Sequence, residues 1–268
     1  MFDWQSLSEI FRNKYLSESS TAPFSVIYCR EQQQIHRVPI IKPTLIFVLK
    51  GHKTIGQKSE HLSQAGELIY LAAGQNVFLQ NTPNEEEYLA VTLELELTDF
   101  DGVAGKQTDH GGYFTAGIDE TLAFSLQQLL LWAEIANEDD LATRRTEIVR
   151  LLANRGYADL LVPQVKKSLS QQVSYLIQQM PAAVNVADVC HKLATSEASL
   201  RRKLQAEDTS FTELLDSVRL GRGLDLVQTT SLPIGLIAER CGYQSASRFS
   251  ERFKHRFAIT PSELRRTR

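Results

Sequence analysis

Two stretches of the 268-residue chain gather basic side chains at helical spacing. SEASLRRKL (196–204) carries Arg201, Arg202 and Lys203, and SASRFSERF (245–253) carries Arg248 and Arg252. Large apolar residues recur four apart in each, Leu200 and Leu204 in the first, Phe249 and Phe253 in the second. Each stretch therefore reads as a helix with one buried seam. At about 100° per residue, Ala198, Arg201, Arg202 and Lys203 lie away from the first seam. Ala246, Ser247, Arg248, Ser250, Glu251 and Arg252 lie away from the second. A guanidinium can donate two hydrogen bonds to O6 and N7 of guanine, so Arg201 and Arg202 are candidates for reading base edges, and Arg248 and Arg252 for groove contacts. Lys203 suits a phosphate. Ser247 and Glu251 are candidate base or phosphate readers; Glu251 repels phosphate, so its uses are to accept from cytosine N4 or to orient an arginine.

Both stretches close a repeated unit. VNVADVCHKLATSEASLRRKL (184–204) aligns with LPIGLIAERCGYQSASRFSERF (232–253), about 48 residues further on. Val186 matches Ile234, Val189 matches Ile237, Cys190 matches Ala238, and Ala194 matches Gly242. After a one-residue difference in the turn, Ser196 matches Ser245, Leu200 matches Phe249 and Leu204 matches Phe253. Each copy is a short apolar-spaced helix, a turn marked by a small residue, and a longer basic helix, which is the pattern of a helix-turn-helix. The spacing predicts units over about 186–205 and 234–257, joined by an amphipathic helix over Phe211–Val227. Asn185, Ser196 and Ser245 are predicted N-caps, Pro233 sits at a helix start, and Thr260-Pro261-Ser262-Glu263 reads as a capping box. A further helix is predicted over Gln171–Met180.

With these residues in view, the last hundred positions resemble the DNA-binding domain of the arabinose-operon regulator (AraC/XylS) family of bacterial transcription factors. The resemblance is densest over Pro233–Leu264 and rests on Ile237-Ala238, Gly242-Tyr243, Phe249, Phe253, Lys254, Arg256-Phe257 and Thr260-Pro261-Ser262, with Arg219-Leu220 and Leu226-Val227 in the connecting helix. It departs at Asp208 and Ala258, where the family commonly has glycine, and at Gly221 and Gly223 in the connecting helix, each costing roughly 1 kcal/mol against alanine. The resemblance implies an all-α reader of double-stranded promoter DNA with two recognition helices, more often an activator. RNA polymerase is then a further partner.

The formal charge of -3 is a sum that does not speak against such a partner, because it is unevenly spread. Residues 1–165 hold 13 Lys+Arg and 22 Asp+Glu, and residues 166–268 hold 16 and 10, so an acidic part precedes a basic one. These two stretches are the expected domains. In the first, FSVIYC, TLIFVLKG, GELIYLA, NVFLQ and YLAVTLELEL read as strands separated by turns at Gly51-His52-Lys53, Gly56-Gln57, Gly74-Gln75 and Thr82-Pro83-Asn84. Residues 99–117 read as a loop, and helices are expected over about 119–137 and 143–154. Those helices must be covered, by the β-domain or by a second subunit in a homodimer. Residues 156–170 read as the linker. The expected fold class is thus α+β in two domains: an N-terminal β-barrel or sandwich with appended helices, and an all-α C-terminal domain. PTLIFVLKGHKTI and GELIYLAAGQ loosely resemble the cupin-like sensor domains of the same family.

No apolar run approaches the ~18 residues of a membrane helix, and Asp3 and Glu9 stand where a signal peptide would be apolar. Three widely separated cysteines (Cys29, Cys190, Cys241) fit a reducing cytosol rather than a disulfide framework. The six histidines show no paired metal-ligand spacing, and no phosphate loop or nucleophile motif is present. No catalytic residue, metal or cofactor is therefore expected, and a cupin-type enzyme is set aside. What remains is a cytoplasmic regulator whose N-terminal domain answers to a small molecule or a regulatory protein. The alternative is a ligand-free scaffold for dimerisation or protein interaction.

Overall fold

Strands β3 (Thr44–Lys50) and β8 (Tyr88–Glu94) read as nearly unbroken apolar runs because the sheet they centre is covered on both faces. The computed structural model describes residues 24–56, 61–106, 112–133, 135–161 and 168–268. That five-stranded antiparallel sheet has the order β1 (Phe24–Cys29), β8, β3, β6 (Glu67–Leu71), β9 (Tyr113–Gly117). A four-stranded sheet has the order β2 (Gln33–Ile40), β7 (Gln75–Thr82), β4 (His52–Ile55), β5 (His61–Gln64). Ile27, Ile46, Val48 and Ile69 on one face of the first sheet share a core with Ile35, Ile55, Val77 and Leu79 of the second. Leu45, Phe47, Leu68 and Val91 face the other way.

That second face is covered by α1 (Glu120–Trp132) and α2 (Glu138–Leu152), through Leu122, Leu126, Leu129, Ile148, Val149 and Leu152. The β-domain thus covers the buried faces of these helices. Helix α2 begins five residues before the expected 143, because Asn137 caps it by accepting from the Asp140 N–H (3.0 Å) and three acidic residues fill its first turn. Helix α1 stops at Trp132 instead of reaching 137.

Four strands escaped the sequence reading. β2 alternates weakly and is broken by a bulge between Ile35 and Val38, with Arg37 at φ 45°. β4 carries His52 and Lys53, read as a turn; β5 is largely exposed; β9 lies inside the stretch read as loop. Within the expected linker, residues 158–161 form a short helix, α3 (Ala158–Leu161). The rest of that expectation (Pro163, Lys166-Lys167), the boundary at 165/166, the N-terminal segment and His110-Gly111 lie outside the described residues.

The C-terminal part is helical: α4 (Leu169–Gln179), α5 (Val186–Lys192), α6 (Glu197–Gln205), α7 (Phe211–Thr229), α8 (Ile234–Arg240), α9 (Ala246–Phe257) and α10 (Pro261–Arg266). Helix α4 starts two residues early, on a Ser168–Gln171 capping box, and α7 runs two residues beyond Val227. Two cores hold these helices. Val173, Val189, Leu200, Leu204 and Val218 close the first. The second, with Leu224, Ile237, Phe249, Phe253 and Phe257, is continuous with the core between the sheets. The second half of the helical part is therefore docked on the β-domain. No helix among the described residues is long and apolar enough to cross a membrane.

Candidate nucleic-acid interface

Local chemistry starts each helix of the two repeated units. The Asn185 side chain accepts from the Asp188 N–H (3.1 Å), Ser196 from Ser199 (3.2 Å), Ser245 from Arg248 (3.3 Å) and Thr260 from Glu263 (3.1 Å). Pro233 immediately precedes α8. The turn between α5 and α6 takes a left-handed residue at Ala194 (φ 46°), and the equivalent turn takes Gly242 (φ 81°). A Cβ on Gly242 would lie 2.8 Å from the Ala182 carbonyl oxygen, so that turn admits only glycine. Asp208 and Ala258, which stand where glycine is commonly found in the family resembled, both have left-handed backbone, at φ 52° and 61°. The glycines inside α7 answer to packing: Cβ atoms at Gly221 and Gly223 would lie 3.1 Å from the Pro39 ring and 2.7 Å from the Phe249 ring.

The seams are buried: Leu200 and Leu204 on α6, and Phe249, Phe253 and Phe257 on α9. The three phenylalanines form a ladder with ring centroids 5.5 and 4.6 Å apart. Opposite these seams, Ala198, Arg201, Arg202 and Lys203 on α6 are exposed, as are Ser247, Arg248, Glu251 and Arg252 on α9. The fold thus brings the eight sequence-derived residues onto the outward faces of the second helices of two like units.

Arg252 differs from the others. It donates from Nε (3.0 Å) and a terminal nitrogen (2.5 Å) to one Asp216 oxygen on α7, and the Tyr243 hydroxyl donates to the other (2.6 Å). Asp216 holds the Arg252 guanidinium above its ordinary pKa, and burial, with Asp216 second, raises the Tyr243 hydroxyl. This triad fixes α9 and its turn to the connecting helix. Asp216 carried no signal in the sequence, being one of several polar residues on α7. The far end of α9 is held by the β-domain: Arg256 donates to Asn76 (2.7 Å), and Arg37 donates to the His255 carbonyl (3.2 Å). Burial, and then the neighbouring Arg37, push Arg256 down to about 10.

A cavity of about 550 Å³ lies between the four-stranded sheet and the helical part, with Ile35, Leu79, Ile177, Val218 and Leu224 in its wall. Lys53 reaches it from the inner face of β4. The sequence signal was its alternation with Ile55, which places both side chains on one face of a strand. Burial pushes Lys53 down to about 8 and the neighbouring Cys29 thiol up to about 12. All three cysteines are buried free thiols.

A family model for a helix-turn-helix domain matches residues 189–267. Over 97 residues, 36% of this chain, the sequence is 35% identical to the urease operon transcriptional activator of Escherichia coli, covering 33% of that protein. Over 113 residues, 42% of this chain, it is 33% identical to the transcriptional regulator SirC of Salmonella typhimurium, covering 38% of it. The stretch matched, 189–267, is an AraC-type helix-turn-helix domain. The matched stretch of this AraC-type domain spans only about a third of either relative's length. Fold similarity extends further. An apo variant of ToxT from Vibrio cholerae superposes with a TM-score of 0.66 over 93% of this chain and 99% of that one, at 16% identity. Wild-type ToxT bound to an unsaturated fatty acid gives 0.57 over 93% and 97%, at 17% identity. The two-domain fold is thus shared with ToxT.

Proposed function

We propose that the chain regulates transcription by reading promoter DNA with α6 and α9 in successive major-groove segments, about one helical turn (~34 Å) apart. The observation that carries this is the exposed basic face repeated on α6 and α9, each set on a buried apolar seam. Arg201, Arg202 and Arg248 read base edges, Lys203 meets phosphate, and Ala198, Ser247 and Glu251 line the contact. Arg252 contributes charge to the groove while Asp216 orients it. The domains are 1–165 for sensing and 166–268 for DNA. Activation, with RNA polymerase as the second partner in the cytoplasm, fits the activator among the relatives.

Control passes through the N-terminal domain. The cavity at the seam between barrel and helices supports a small molecule as effector over a ligand-free scaffold, and ToxT, of the same fold, has been solved with a fatty acid. Homodimerisation has its own support in α1, where Phe124 (56% exposed) and Leu131 (46%) stand two turns apart, with Ile135 (84%) just beyond.

Genomic fragments captured by the full chain supply the operator, and gel shifts with Arg201→Ala, Arg202→Ala and Arg248→Ala test the reading. Each substitution is expected to weaken operator binding; unchanged affinity in all three defeats the assignment. Sedimentation of a Phe124→Glu, Leu131→Glu chain checks the dimer: wild type and variant at equal mass would remove it.

A further inference from the structure

Helix α6 is more lightly held than α9. Asp216 takes Arg252 of α9, and Asn76 takes Arg256 near its far end. On α6 only Leu200 and Leu204 are buried. An apolar seam of this kind is non-directional, so it fixes where a helix lies better than how it is tilted. Across the nine residues of α6, a tilt of about 10° moves the far end by about 2 Å, more than a bidentate contact to a base tolerates.

A second hold comes at the end of the helix. The chain leaves α6 through a tight turn in which the Glu207 and Thr209 N–H groups both donate to the Leu204 carbonyl (3.0 and 3.1 Å) and Asp208 is left-handed at φ 52°. That turn brings the exposed Glu207 side chain onto the start of α4. Its Oε1 accepts from the Leu169 N–H (2.8 Å) and its Oε2 from the Ser170 N–H (2.9 Å). These are the first two amides of α4, which have no partner inside their own helix. Ser168 Oγ takes the third, from Gln171 (3.2 Å). A carboxylate at this place also meets the positive end of the α4 dipole. Burial opposes its charge, but hydrogen bonds from Ser170, Leu169 and Ser168 together hold Glu207 below its ordinary pKa.

Helix α4 is in turn bound to the β-domain. The Tyr175 hydroxyl donates to Glu96 (3.0 Å), Gln178 donates to Glu94 (3.3 Å), and Gln171 lies against Gly74, where a Cβ would be 1.8 Å from its Nε2. We propose that Glu207 is a positioning residue: by clamping the end of α6 to the N-terminus of α4, it sets the tilt at which Arg201 and Arg202 reach base edges. This rests on the reading of DNA by α6 and α9 proposed above. Two hydrogen bonds to separate oxygens fix orientation as well as distance, which the Leu200–Leu204 seam does not. Because α4 lies on the β-domain, the clamp refers α6 to the same body that holds α9 through Asn76 and Arg37.

Binding of the full chain to its operator and to single-base variants of it tests the clamp. The half-site of each helix is the one where Arg201→Ala or Arg248→Ala relaxes base preference. Glu207→Gln keeps the size of the side chain but sets an amide NH2 against one N–H, so one of the two bonds is lost. It is expected to lower discrimination at least threefold at the α6 half-site and to leave the α9 half-site as in wild type. The retained half-site shows in the same experiment that the variant is folded. Asn185→Ala removes the cap of α5 in the same unit without touching Glu207. It is expected to lower stability and leave discrimination unchanged at both half-sites. Full discrimination in Glu207→Gln, loss at both half-sites, or an equal loss in Asn185→Ala overturns the positioning role. A wild-type chain with no base preference at either half-site overturns the DNA reading itself, and the positioning role with it.

Discussion

Arg252 and Asp216 hold one another across the α7–α9 crossing, the guanidinium reaching a single carboxylate oxygen from two nitrogens, 3.0 and 2.5 Å away. The second oxygen takes the Tyr243 hydroxyl, so one aspartate on the connecting helix fixes both α9 and the turn before it. Arg248, one turn earlier, has no such tether among the described residues. Two arginines of similar exposure on one helix therefore separate in kind.

Stability should separate them. Arg252→Ala is expected to cost about 1–2 kcal/mol, from a half-exposed ion pair and a disturbed hydrogen bond, whereas Arg248→Ala stays within about 0.5 kcal/mol. Urea unfolding of both variants measures the difference. Equal midpoints would remove the tether as an element of stability.

On DNA the ranking changes. Arg201→Ala and Arg248→Ala are each expected to cost about 1–3 kcal/mol and to relax preference at one base position. Lys203→Ala should weaken all sequences alike and reduce the salt slope by about 1. Binding isotherms at several salt concentrations, on the operator and on single-base variants, distinguish the two behaviours.

Ala258 caps α9 in a left-handed conformation at φ 61°. That conformation costs a residue with a Cβ roughly 1–2 kcal/mol, while glycine adds about 0.5–1 kcal/mol of unfolded-state entropy. Ala258→Gly should therefore raise stability by up to about 1 kcal/mol. Gly223→Ala should lower it by about 1–3 kcal/mol, since its Cβ would lie 2.7 Å from the Phe249 ring. Thermal melts of the two variants should move in opposite directions.

Lys53 supplies a pH dependence. Its pKa falls from the ordinary 10.5 to about 8 on folding, because burial disfavours the ammonium. Between those values the unfolded chain holds the proton and the folded chain does not, so stability rises with pH across that window. The full effect is on the order of 3 kcal/mol. Lys53→Met lacks this gain, so the wild type should improve relative to it from pH 8 to 10.5 in urea titrations. A constant difference would mean that Lys53 titrates normally.

The AraC-type domain was legible because its signals are local. Leu200 with Leu204, and Phe249 with Phe253, report a helix face within a few residues, and Asn185, Ser196, Ser245 and Thr260 cap the helices that follow them. The repeat doubled each signal and thereby placed Ala198, Arg201, Arg202, Lys203, Ser247, Arg248, Glu251 and Arg252 away from the buried seams, where the structure has them exposed. The β-domain was legible only where strands are buried on both faces, as in TLIFVLK. β2, β4, β5 and β9 carry too few apolar residues to show a period of two, and they are strands only because neighbours take their backbone hydrogen bonds.

The sequence alone determined which helices form and which of their faces are basic, since periodicity and capping are settled between residues close in the chain. Tertiary structure alone decided what those faces are held by. Asp216 reaches Arg252 from 36 residues away, Asn76 reaches Arg256 from 180, and Gln33 reaches Thr267 from 234. No local pattern encodes such pairs. They exist because burial of one continuous apolar core brings the barrel and the second helix-turn-helix unit together, and buried polar groups must then find partners across that seam.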